Sequence, residues 1–78
     1  MPRLPVMSAK KVLKALERAG FQITGQKGSH IKLKKKSSEK VFIVMVPNHA
    51  EIAIGTLKSI LRQAGLSPEE FLGIIERL

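Results

Sequence analysis

Residues 21–47 read FQITGQKGSHIKLKKKSSEKVFIVMVP. Phe21 and Ile23 alternate with Gln22 and Thr24, and Gly25-Gln26-Lys27-Gly28 then reads as a turn. From Ser29 to Lys35, Ile31 and Leu33 point one way while His30, Lys32 and Lys34 point the other. Lys36-Ser37-Ser38-Glu39 forms a second turn, and Val41 to Val46 is a β-branched run that Pro47 ends. A period of two, twice interrupted by turn residues, predicts three antiparallel strands. The last strand is apolar on both faces, whereas an antiparallel sheet with one wet face alternates. Its second side therefore calls for a cover, with the C-terminal helix, a second copy and a protein partner all open.

Outward from this stretch the period becomes helical. Before it, Ser8 offers an N-cap, Val12, Leu13, Leu16 and Ala19 share one face, and Gly20 supplies a stop, giving a helix over about residues 9–19. The opposite face carries Lys10, Lys14 and Arg18 with Lys11 alongside. After the strands, Thr56 is placed to cap a helix over about 57–64 that Gly65 closes. Ser67-Pro68-Glu69-Glu70 is a capping box with proline at the first helical position, so a short third helix follows. Met1 to Met7, with Pro2 and Pro5, reads as a loose tail. The expectation is one α+β domain over residues 1–78, of order α-β-β-β-α with a short C-terminal helix on a three-stranded sheet.

Composition narrows the chemistry. The 78 residues hold 14 Lys plus Arg against 6 acids, a formal charge of +8, with no Cys, Trp, Tyr or Asp. Without cysteine there is no disulfide framework, no thiol nucleophile and no Cys-ligated zinc, and a cytoplasmic protein is the default. Without aspartate, carboxylate-clustered magnesium chemistry has little to build on, so no metal or other cofactor is expected. The longest apolar run, Val41 to Val46, is far short of the ~20 residues of a membrane span. The positive excess itself favours a polyanionic partner.

Its distribution refines this. The last ten residues hold Glu69, Glu70 and Glu76 against Arg77, so the excess lies in the first 68. Between Lys27 and Lys40 there are six lysines and only Glu39 opposes them. An amphipathic membrane binder needs apolar anchors that the first helix spends on the core. RNA or DNA is the better partner. The three aromatics, Phe21, Phe42 and Phe71, occupy positions that read as buried, which makes base stacking minor. Lysines on the helix suit phosphate rather than base edges.

His30 lies on the same strand face as Lys32 and Lys34, directly after Gly28 and Ser29. Metal-free RNA cleavage needs a base for the ribose 2′-hydroxyl, an acid for the leaving 5′-oxygen and cations for the crowded phosphate; imidazole does either proton transfer and lysines supply the charge. Gly28 leaves room for phosphate against the backbone, and the Ser29 hydroxyl is a donor for a non-bridging oxygen. Taken alone, a strand histidine is more often a plain surface residue. His49, in Pro47-Asn48-His49, reads as a loop residue or a second phosphate or proton-transfer group. Two histidines without Asp or Cys make a poor zinc site.

Gly20-Phe21, Gly28-Ser29-His30, Val46-Pro47-Asn48-His49, Gly55-Thr56-Leu57, Ile60-Leu61-Arg62-Gln63-Ala64-Gly65 and Glu70-Phe71, in this order and spacing, resemble the HicA (YcfA-like) toxins of bacterial and archaeal toxin–antitoxin modules. The resemblance runs over nearly the whole chain. It implies a fold like that of double-stranded-RNA-binding domains, a metal-independent ribonuclease that cuts mRNA and arrests growth, and a neutralising HicB-type antitoxin. The family's catalytic histidine maps onto His30. The Pro-x-His histidine maps onto His49, without a catalytic role. Ala53-Ile54 departs from the basic residue or proline that the family commonly places before Gly55-Thr56.

The leading expectation is an RNA endonuclease with His30 transferring the proton. Lys27, Gly28, Ser29, Lys32 and Lys34 would hold phosphate, and Lys10, Lys14 and Arg18 would guide the RNA. The alternative is a non-catalytic RNA-binding module using the same basic face. A homo-oligomer within a toxin–antitoxin complex stays open.

Overall fold

The computed structural model describes residues 3–78. Helix α1 spans Ala9–Arg18; the Ser8 hydroxyl accepts the Lys11 N–H at 3.2 Å, so one of the helix's orphan donors is satisfied from outside. Strands β1 (Gln22–Lys27), β2 (His30–Lys36) and β3 (Val41–Pro47) follow, then α2 (Ile54–Ala64) and α3 (Pro68–Glu76). The sheet is antiparallel with order β1-β2-β3, so β2 is central. The architecture is the expected α-β-β-β-α with a further helix, an arrangement that fits a double-stranded-RNA-binding-like fold.

The first turn differs from the expectation. Strand β1 continues through Gly25, Gln26 and Lys27, and the turn is only Gly28-Ser29. Gly28 has φ 58° and Ser29 does not share the positive sign, the pattern of a type II′ hairpin turn, which wants glycine first. The strand reaches that far because it bulges. Ile23 faces Leu33 and Gly25 faces Lys32, which leaves Thr24 as an extra residue.

One side of the sheet carries the core. Leu33, Val44 and Val46 are fully buried against Val12 and Leu16 of α1, Leu57 and Ile60 of α2 and Phe71 of α3. Phe21 is also buried, while Phe42 is half-buried and meets it edge-on at 6.5 Å between ring centres. Lys35 is the one β2 lysine between these inward positions. Its ammonium donates to the Ala19 carbonyl at 2.7 Å and lies 5.7 Å from the Phe21 ring centre, tying β2 to the end of α1.

Two further expectations are corrected. Helix α2 begins at Ile54 with Ala53 at its N-cap and no side-chain cap, rather than at a capping Thr56. Its start is fixed from outside: Ile52 is buried and its N–H donates to the Met7 carbonyl at 2.8 Å, so the chain enters the helix already anchored. The same contact changes the reading of the N-terminal segment. Within residues 3–7, Leu4 and Met7 are buried in the core instead of trailing loosely; Met1 and Pro2 lie outside the described residues.

Candidate nucleic-acid interface

The other side of the sheet is open. Residues that face one another across an antiparallel ladder share a face, and alternation along β2 puts His30, Lys32, Lys34 and Lys36 on the side away from Leu33. His30 and Lys32 are exposed, and Lys34 is half-buried among its neighbours. On β1, Gln22 faces Lys34, Gly25 faces Lys32 and Lys27 faces His30. Counted from Ile23, unbroken alternation would turn Lys27 toward the core. The bulge reverses the count and adds Lys27 to the histidine's face.

On β3 the same face carries Val41, Ile43 and Met45, which are 47%, 47% and 38% exposed. No helix among the described residues covers them, since all three helices lie against the opposite side. The open face thus has two lanes. A basic lane runs along β2 and an aliphatic lane beside it along β3, one strand spacing of about 4.8 Å away.

His30 is held from two directions. It follows the II′ turn directly, and it stands opposite Pro47. The Asn48 N–H donates to the Ser29 carbonyl at 2.6 Å, one bond that carries the ladder's spacing one step beyond His30 and Pro47 and leaves those two as the closer, non-bonded kind of pair. The position of Pro47 asks for no N–H toward β2, which is why a proline is tolerated there. Two residues on, the His49 carbonyl accepts the Ala9 N–H at 3.0 Å. The two histidines therefore occupy the same end of the sheet, with His49 pinned by its backbone against the start of α1.

The residues singled out by sequence do not all meet. Lys27, His30, Lys32 and Lys34 gather on the hairpin's open side, while Ser29 is the second residue of the turn beside His30 and its carbonyl is taken by the Asn48 N–H. Gly28 belongs there for its backbone: its φ requires glycine, while nothing lies within 4 Å of where a side chain would start. Lys10, Lys14 and Arg18 sit on the outer side of α1, across the core from the open face, where Lys14 and Arg18 border the C-terminal Leu78. Lys36 reads from sequence as a turn residue, yet the alternation of β2 carries on through it and adds it to the basic lane. Gly25 carries no sequence signal for a site, and although the sequence shows β3 apolar on both sides, only the bulge and the uncovered face bring Gly25 together with Ile43 and Met45.

A sequence profile described as the HicA toxin of bacterial toxin–antitoxin systems matches residues 9–66, from the first residue of α1 to just beyond α2. The chain belongs to the HicA toxin family. A comparison with curated proteins returns no match. The matched span of this HicA chain contains the whole sheet, both histidines and the α1 stripe, and leaves out α3. Among the described residues, no three His, Cys, Asp or Glu side chains gather as a metal site, and no helix is long and apolar enough to cross a membrane.

Proposed function

We propose that this HicA-family toxin is an endoribonuclease that cuts mRNA through His30, without a metal, and that a HicB-type antitoxin restrains it. One observation carries the reading: the histidine stands at the head of the basic lane, with Lys27 across from it and Lys32 next on its own face. Imidazole titrates near neutrality and suits proton transfer at physiological pH. In the reaction His30 takes the proton of the ribose 2′-hydroxyl, the 2′-oxygen bonds to phosphorus, and the bond from phosphorus to the 5′-oxygen breaks. Water returns a proton to that oxygen. The products are a 2′,3′-cyclic phosphate and a 5′-hydroxyl. Lys27 and Lys32 offset the charge that builds on the non-bridging oxygens.

Lys34 and Lys36 extend the phosphate track along β2. Lys10, Lys14 and Arg18 on α1 act at a distance, raising the rate of encounter through the overall positive field. The antitoxin is expected to be acidic where it meets the open face and to cover His30. The protein works in the cytoplasm, where both mRNA and antitoxin are found. The test is cleavage of RNA in EDTA by wild type and His30→Ala. Loss of at least a hundredfold in the variant is expected, since general acid–base catalysis contributes about 10²–10⁴-fold. Equal rates would remove the assignment, and binding without any cleavage by wild type would leave a non-catalytic RNA-binding module.

A further inference from the structure

Gly25 faces Lys32 on the open side, two ladder pairs along from Lys27 and His30. Because it has no side chain, the sheet surface is notched there. The notch is a cleft of about 510 Å³, open on its outer side and lined by Gly25, Gln26, Lys27, Lys32, Ile43 and Met45. Its floor is mostly aliphatic, and two lysines rise at its borders. Gly25 has an ordinary φ and nothing lies within 4 Å of the position a β-carbon would take, so neither backbone strain nor packing explains a glycine at this point.

We infer that this notch holds a nucleobase of single-stranded RNA next to the scissile phosphate, and that Gly25 sets which base is accepted. The inference rests on the ribonuclease reading and adds a substrate form and a specificity site to it. Charge selects the occupant: a flat apolar ring flanked by phosphates matches an aliphatic floor bordered by Lys27 and Lys32. Position selects which base. Alternate residues of a strand recur at about 6.8 Å, close to the phosphate separation of an extended single strand. A phosphate seated at His30 therefore leaves its neighbouring base over Gly25 and Met45. Paired RNA keeps its bases stacked inside the helix, so only an unpaired strand presents a ring to this floor. Aliphatic contact here takes the place of aromatic stacking, since Phe21 and Phe71 are buried and the half-buried Phe42 pairs with Lys35 on the sheet's other face.

The test uses DNA oligonucleotides containing a single ribonucleotide, with the base on either side of the scissile bond varied among all four. Wild type should discriminate among them, and Gly25→Val, which fills the notch, should change the ratio of best to worst substrate by about tenfold, as expected for a reshaped apolar pocket. Met45→Ala serves as a second variant should Gly25→Val melt early, and should weaken discrimination likewise. Unchanged ratios in folded Gly25→Val and Met45→Ala would overturn the inference. So would unchanged ratios joined to loss of antitoxin binding, which would make the notch a protein-docking site. Fully deoxy versions of the same oligonucleotides, lacking the attacking hydroxyl, separate the notch from the chemistry. Base-dependent binding that Gly25→Val abolishes supports the notch even where wild type cuts nothing; base-independent binding by wild type overturns it.

Discussion

Lys27 stands directly across the β1–β2 ladder from His30, on the open face of the sheet, because β1 bulges between Ile23 and Gly25. A cation one strand away from the histidine is placed to touch the phosphate the histidine serves, while Lys14 on α1 lies beyond the core. Lys27→Ala should therefore lower RNA affinity and reduce the slope of log affinity against log salt by about 0.7, the value for one phosphate contact on a single strand. Lys14→Ala should leave the slope unchanged and only slow association at low salt. A salt titration by fluorescence anisotropy reads both, and equal slopes for the two variants would contradict this division of labour.

Glycine is required by the backbone at some positions of this chain and free at others, and the cost of alanine should sort accordingly. Gly28→Ala forces a side chain into positive φ at the head of the II′ turn and should cost about 1–2 kcal/mol. Gly65→Ala meets the same backbone penalty at φ 69° and also places a β-carbon 2.7 Å from Cε1 of Phe42, so its loss should be the larger. Gly25→Ala should stay within about 0.5 kcal/mol. Urea denaturation of the three variants gives the order directly.

Element types are readable because the apolar period changes from helical to two at Phe21 and back after Pro47, and because Ser8, Gly20, Gly65 and Ser67 carry their own cap chemistry. What escapes a sequence reading depends on contacts far apart in the chain. The start of α2 and the seating of Leu4 and Met7 both follow from the pairing of Met7 with Ile52, which no local pattern announces. The alternation of β2 makes His30, Lys32 and Lys34 one face, yet it does not say on which side of the sheet α1 packs. That single topological fact separates Lys10, Lys14 and Arg18 from the histidine. Equally, the two apolar faces of β3 are visible in the sequence, but only the fold shows that Val41, Ile43 and Met45 are the uncovered ones.

The capping box of α3 gives the fold a defined acid response. The Ser67 N–H donates to Glu70 Oε1 at 2.9 Å and the Glu70 N–H donates to Ser67 Oγ at 3.1 Å. The Ser67 backbone bond, with its hydroxyl second and the more distant Lys35 charge last, holds the Glu70 carboxyl below its usual value. A carboxylate lowered on folding stabilises the protein above its unfolded value, about 4.3, and that contribution disappears as pH falls through the lower folded value. Glu70→Gln should accordingly melt below wild type at pH 7, and the gap should close as pH drops beneath 4. Thermal melts across pH 3–7 measure it; a gap that persists at the acid end would show the carboxylate charge to be irrelevant to the cap.

Lys34 and Lys35 are adjacent in β2 and point to opposite sides of the sheet, so the same substitution should do opposite things. Lys35 spends its ammonium on the Ala19 carbonyl and its stem beside Phe21. Removing it in Lys35→Ala leaves the end of α1 without that donor and should cost about 1 kcal/mol, below the roughly 1.5–3 kcal/mol of a charged hydrogen bond because the site is only half-buried. Its effect on the salt slope of RNA binding should be nil, since the side chain faces away from the track. Lys34 sits on the open face beside Gln22 and lines the cleft that Gln22 and Thr24 share with Lys36. Lys34→Ala should leave stability within about 0.5 kcal/mol and take about 0.7 from the salt slope. Measuring both quantities for both variants gives a crossed pattern. A slope change in Lys35→Ala, or a stability loss confined to Lys34→Ala, would mean that β2 presents its other face to RNA.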